Sequence, residues 1–175
     1  MAHVPTDADD EQRPTALLLV YTWDLVRAIL VFFIAFAVFG GGTDVAGKTV
    51  ELSTAVQIVV ALSYAAFGAV LLLLGMVLTK HSAWIRRAQI TVLGMAVGIG
   101  LVSFAVFQIH GGFEVAALLL TLLLALIDLL ALFAMTSRRI VAWYREPGPV
   151  PVYIGGLIAF WAAVSAASIV VSGIG

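Results

Sequence analysis

Five long apolar runs, at residues 16–39, 52–78, 90–107, 115–135 and 152–171, are separated by short polar connections. Each has close to the roughly 20 residues that about 30 Å of hydrocarbon requires at about 1.5 Å per helical residue. The charged positions do not recur at the 3.6-residue period of a water-facing helix; they gather between the runs. No run shows the apolar–polar alternation of a membrane barrel strand, and an open strand would leave its amides unpaired in lipid. The pattern therefore predicts an all-α integral membrane protein. Residues 15–175 form a single bundle of five transmembrane helices, preceded by a short, acidic, proline-bounded disordered tail over residues 1–14. The tail has neither the positive charge nor the apolar stretch of a cleavable signal, so it is expected to be retained.

Composition sharpens this picture. The chain is 63% hydrophobic and 11% charged, where a soluble domain carries about a quarter charged residues. Net charge is −1 and no basic stripe with interleaved aromatics is present, so nucleic acid is not an expected partner. Cysteine is absent, which removes disulfides and thiolate chemistry. The histidines His3, His81 and His110 are widely separated. Neither a multi-histidine metal or haem site nor any other cofactor is expected.

Basic residues set the orientation. Arg13, Lys80, Arg86, Arg87, Arg138, Arg139 and Arg145 fall in the tail and the two even-numbered connections, against Lys48 alone in the odd ones. This predicts a cell (cytoplasmic) membrane protein of the bacterial inner-membrane kind, with a cytoplasmic N-terminus and an external C-terminus. Trp23, Trp84, Arg86, Trp143 and Arg145 are expected to be interfacial anchors, ring at the headgroups and guanidinium in water. Sliding the chain on itself by 59 positions aligns Ala83, Trp84 and Arg86 with Ala142, Trp143 and Arg145, and Met76 with Met135. Two readings stand: a duplicated two-helix unit with one helix appended, or a shared preference of inner boundaries for Trp beside Arg. The stretch "REPGPVP" before the last run is stiff and extended, which separates the fifth helix from the fourth at its start.

The candidate chemistry centres on Asp128, about seven residues and roughly 10 Å from the nearer end of the fourth run. A charge at that depth costs about 2.5–3.5 kcal/mol on insertion scales, so it must have a partner or a function. Arg27, in "YTWDLVRAIL", lies at similar depth and has two possible partners: Asp24 three positions earlier on its own helix, or Asp128 across the bundle. Gln57, Ser63, Tyr64, Gln89, Ser103, Gln108, Ser165 and Ser168 are scattered through the other spans. His110 and Glu114 are four apart, near Glu51, but Gly111 and Gly112 between them favour a solvated turn over a metal site. Gly94 and Gly98 have small-xxx-small spacing, and Gly155, Ala159 and Ala163 repeat the style in the last helix. These faces are expected to pack helix on helix inside the bundle, leaving Phe160 and Trp161 to lipid or another subunit, the alternative being that the small-residue faces are an oligomer or partner contact.

Nucleophile elbows, phosphate-binding glycine loops, carboxylate pairs and zinc motifs are missing from the sequence. The expectation is a non-catalytic accessory or scaffold subunit of a membrane complex or homo-oligomer, its partners being lipids and other membrane subunits or itself. The alternative is a small proton- or cation-coupled transporter or channel using Asp128 as its intramembrane site. A packing subunit buries that carboxylate against a specific neighbour; a transporter sets it against a water-filled cavity.

Overall fold

A computed structural model describes residues 14–40, 44–45, 48–49, 53–111 and 115–174. Residues 1–13 of the expected 1–14 tail, Glu51 and Glu114 lie outside the described residues. The helices are α1 (Thr15–Phe39), α2 (Thr54–Val77), α3 (Ala83–Gly111), α4 (Val115–Met135), α5 (Arg138–Trp143) and α6 (Val152–Ile174). Between α1 and α2, Asp44–Val45 and Lys48–Thr49 form a two-residue antiparallel ladder. Five of the helices, all but α5, are long and apolar enough to cross a membrane. The chain is a multi-pass, all-α membrane bundle.

Two boundaries depart from the hydropathy pattern. Helix α3 starts at Ala83, seven residues before its apolar run, because "AWIRRAQ" is helical before it is hydrophobic. Hydropathy marks the part of a helix suited to lipid, whereas backbone hydrogen bonding continues through polar residues at its end. The six residues of α5 are likewise invisible to a search for long apolar runs.

The spanning helices pack in a closed ring. Helix α1 lies against α2, α2 against α6, α6 against α3, α3 against α4, and α4 returns to α1. The last helix is therefore wedged between the second and third, and the connection from α5 explains how it gets there. Tyr144 donates its hydroxyl to the Leu78 carbonyl at 2.7 Å, after the end of α2. The Ala83 amide donates to the Glu146 carbonyl at 2.8 Å and the Glu146 amide to the His81 carbonyl at 3.2 Å. His81 packs on Trp143 with ring centroids 4.2 Å apart. The approach of the two segments is close: a Cβ on Gly148 would stand 2.8 Å from Ser82 Oγ. Proline stiffness then carries the chain past the α2–α3 turn and away from α4.

The core is densest toward the end of the bundle that holds this turn, here the basic end. In α3 the buried side chains run from Trp84 to Ala96, and in α4 they are Asp128, Ala131 and Met135. Large side chains such as Phe33, Phe36, Leu119 and Leu130 point outward, as suits a helix whose outer solvent is hydrocarbon.

The small-residue faces are not where close packing occurs. Gly94, Gly98, Ala159 and Ala163 are exposed. A Cβ on Gly98 would meet nothing within 4 Å, on Gly94 only Leu132 at 3.9 Å, and on Gly155 only Val150 of the preceding linker at 3.8 Å. The reason is rotational: α3 turns Ile85, Gln89, Val92 and Ala96 inward, which puts both glycines on the outer side. The tight contact is instead Gly68 of α2, where a Cβ would stand 2.8 Å from the Phe32 ring of α1. Trp161 is also a correction, since it is 2% exposed and stacks on Phe67 at 4.7 Å. Its neighbours on the inward face of α6 are Ile154 and Ser165, one seven residues before and one four after.

The aligned segments occupy unlike places. Ala83, Trp84 and Arg86 open a spanning helix, whereas Ala142 and Trp143 close the short α5. Met76 is 75% exposed and Met135 fully buried.

Candidate functional site

A buried polar cluster joins the helices at one level. Asp24 lies nine residues into α1, Gln89 six into α3 and Asp128 seven from the end of α4, which places them about 14, 9 and 10 Å from the same end of the bundle at about 1.5 Å per residue. Trp23 and Arg27 are one helical turn apart and share a face of α1, and that face looks at α4. The Trp23 indole N–H donates to Asp128 Oδ1 at 2.8 Å, and Arg27 Nη1 forms an ion pair with Asp128 Oδ2. Both carboxylate oxygens of a fully buried aspartate are thus engaged from one helix.

Asp24 sits about 100° around the helix from Trp23, and its side chain crosses the ring to α3. Gln89 Nε2 donates to Asp24 Oδ2 at 2.6 Å. Asp24 is 1% exposed and Gln89 is fully buried. The remaining oxygens of the pair, Asp24 Oδ1 and Gln89 Oε1, are buried with no hydrogen-bond partner among the described residues.

Helices α2 and α6 supply the aromatic wall. The Arg27 guanidinium carbon lies 5.1 Å from the Phe67 ring centroid and 5.9 Å from that of Trp23, within the range of cation–π attraction. Phe67 is held by its stack on Trp161. Further from the basic end, the hydroxyls of Ser63 and Ser165 share a hydrogen bond of 2.8 Å between α2 and α6.

Of the two partners open to Arg27, the structure pairs it with Asp128. Asp24 is itself a core residue. Three side chains expected at the membrane surface as anchors also face differently. Trp23 aims its N–H at Asp128, Trp84 is 8% exposed within the core, and Trp143 covers His81. Arg86 donates through Nε to the Met135 carbonyl at 3.0 Å, tying α3 to the end of α4, while Arg145 is exposed. For Trp23 the cause is its acceptor: an indole N–H with a buried carboxylate in reach gains a hydrogen bond that would be lost to a ring lying in the headgroups.

Sequence reasoning left Gln89, Phe67 and Trp161 out of the site. Gln89 was detectable in principle: counted from Ala83 it lies at the level of Asp24, but the late start assigned to the third helix hides that match. Nothing in the residue pattern points to Phe67 and Trp161, because a stacked aromatic pair has no spacing rule across helices. Among the described residues no group of three or more His, Asp or Glu side chains is placed to hold a metal. No family model matches the chain, and comparisons with curated proteins and with solved structures return no match either.

Proposed function

We infer that this protein is a non-catalytic packing component of the cell (cytoplasmic) membrane, an accessory or scaffold subunit of a larger complex or of a homo-oligomer. Its N-terminus faces the cytoplasm and its C-terminus the outside, following the seven-to-one bias of Arg and Lys between the two sets of connections. The observation that carries the reading is the state of Asp128: no surface exposed, one oxygen on Trp23 and the other on Arg27. A carboxylate so enclosed selects which helices meet. The outward small-residue faces of α3 and α6 support the same reading, since Gly94, Gly98, Ala159 and Ala163 leave flat surfaces on which another helix can approach closely. Lipid and membrane subunits, including further copies of the chain, are the partners this surface suits.

The test is Asp128→Asn in native membranes, measuring assembly by the size of the solubilised complex and proton-coupled flux in reconstituted vesicles. Impaired assembly, with no flux in the unaltered protein, is expected. Intact assembly with flux abolished would overturn the proposal in favour of a small proton- or cation-coupled transporter.

A further inference from the structure

The cluster holds two buried carboxyls, Asp24 and Asp128, beside one guanidinium, Arg27. If both acids were ionised, one negative charge would lie uncompensated in a bundle surrounded by hydrocarbon, the costliest arrangement available. Arg27 is committed to Asp128. What Asp24 meets instead is a neutral amide, and the pairing is incomplete in a specific way. A carboxyl and a primary amide are both planar, two-point groups. One contact between them is made, Gln89 Nε2 to Asp24 Oδ2 at 2.6 Å. The two atoms left over, Asp24 Oδ1 and Gln89 Oε1, are both acceptors, both buried and both without a donor among the described residues. Reversing the amide would set Gln89 Oε1 against Asp24 Oδ2, an acceptor against an acceptor.

We propose that Asp24 is a proton-binding site, its carboxyl carrying a proton on Oδ1 that is donated to Gln89 Oε1, so that acid and amide close a two-hydrogen-bond ring. One proton supplies the missing donor to both orphaned oxygens and cancels the excess charge of the cluster. A metal cation does not fit the same place, because hard cations take six or more oxygen ligands, and this pair offers two with a guanidinium nearby.

The surrounding charges define what release of the proton does. Facing this region are Arg27 on the same helix, Tyr64 of α2 within electrostatic reach of Arg27, Gln89 of α3 and Asp128 of α4; α6 has no Asp, Glu, Lys, Arg or His in its sequence. An ionised Asp24, three residues from Arg27 on the same helix, competes with Asp128 for the guanidinium. The proton therefore protects the seam between α1 and α4. This holds whether the protein is a scaffold or a transporter.

The experiment is infrared difference spectroscopy of the full chain in lipid vesicles at neutral pH, in H2O and D2O. A protonated-carboxyl C=O band that shifts on deuteration is expected in the unaltered protein, is lost in Asp24→Asn, and moves to higher frequency in Gln89→Leu as the carbonyl loses its amide donor. Asparagine reproduces the neutral ring, with its amide N–H donating to Gln89 Oε1, so Asp24→Asn is expected to fold and assemble with unchanged thermal stability. The proposal is overturned by absence of the band in the unaltered protein, by its survival in Asp24→Asn, by an unmoved band in Gln89→Leu, or by an Asp24→Asn protein that does not fold.

Discussion

At the residue scale, Arg27 and Asp128 do more for specificity than for stability. Each alone would be costly in the bundle, and together they offset a desolvation penalty that an apolar pair would never incur. The consequence is non-additivity. Removing either charge strands the other, so Arg27→Leu and Asp128→Leu are each expected to destabilise the folded bundle by about 3 kcal/mol. The double variant should cost markedly less than the two single losses combined. A double-mutant cycle on thermal unfolding in detergent checks this, and additive losses would show that the two groups do not sense each other. Sequence alone reached this far and stopped: depth along two apolar runs identifies Arg27 and Asp128 as equals in level, but hydropathy carries no rotational information. Whether Asp24 or Asp128 wins the guanidinium depends on which side of α1 faces α4, and that is fixed by packing of Val20, Ala28 and Val31 against the core.

At the element scale, close approach of helices and mere presence of glycine are separate matters. Gly68 lies against the Phe32 ring, where even a methyl group must displace the ring. Gly98 has open space. Gly68→Ala is therefore expected to lower stability by about 1–3 kcal/mol through overpacking at the α1–α2 contact, with Phe32→Leu in the same chain restoring part of the loss. Gly98→Ala is expected to stabilise the monomer slightly through reduced freedom of the unfolded chain. Comparing the two by thermal melts in detergent tests the assignment, and equal losses would contradict it. The spacing rule for small residues found Gly94 and Gly98 because it scores a pattern, while Gly68 sits alone between Phe67 and Ala69 with nothing to announce it. The same limit applies to the linker. Proline content announces a stiff connection, but its attachment to the α2–α3 turn uses backbone amides and the Tyr144 hydroxyl, none of which has a sequence signature. Tyr144→Phe removes the donor to the Leu78 carbonyl and is expected to cost about 1 kcal/mol, measured by the same melts.

At the scale of the whole molecule, the ring of helices is closed at two places that differ in chemistry. Between α1 and α4 the seal is the Trp23–Asp128–Arg27 cluster, and between α2 and α3 it is the inserted α6, held by Trp161 on Phe67 and by the Ser63–Ser165 hydrogen bond. Lipid is as apolar as the bundle interior, so α6 gains little from burying hydrocarbon and is held by shape and by these few polar contacts. Trp161→Ala leaves a void beside Phe67 and also withdraws the support that sets that ring against Arg27. Its expected cost is about 2 kcal/mol, below the figure for a tryptophan removed from a water-soluble core, because only the packing part of the loss applies in lipid. The decisive comparison is with Phe160→Ala one position away, whose side chain is 45% exposed and whose loss should leave the melting temperature of the solubilised bundle unchanged. If the two variants melted alike, α6 would not be wedged between α2 and α3 by this contact, and the closed ring would lose one of its two seals.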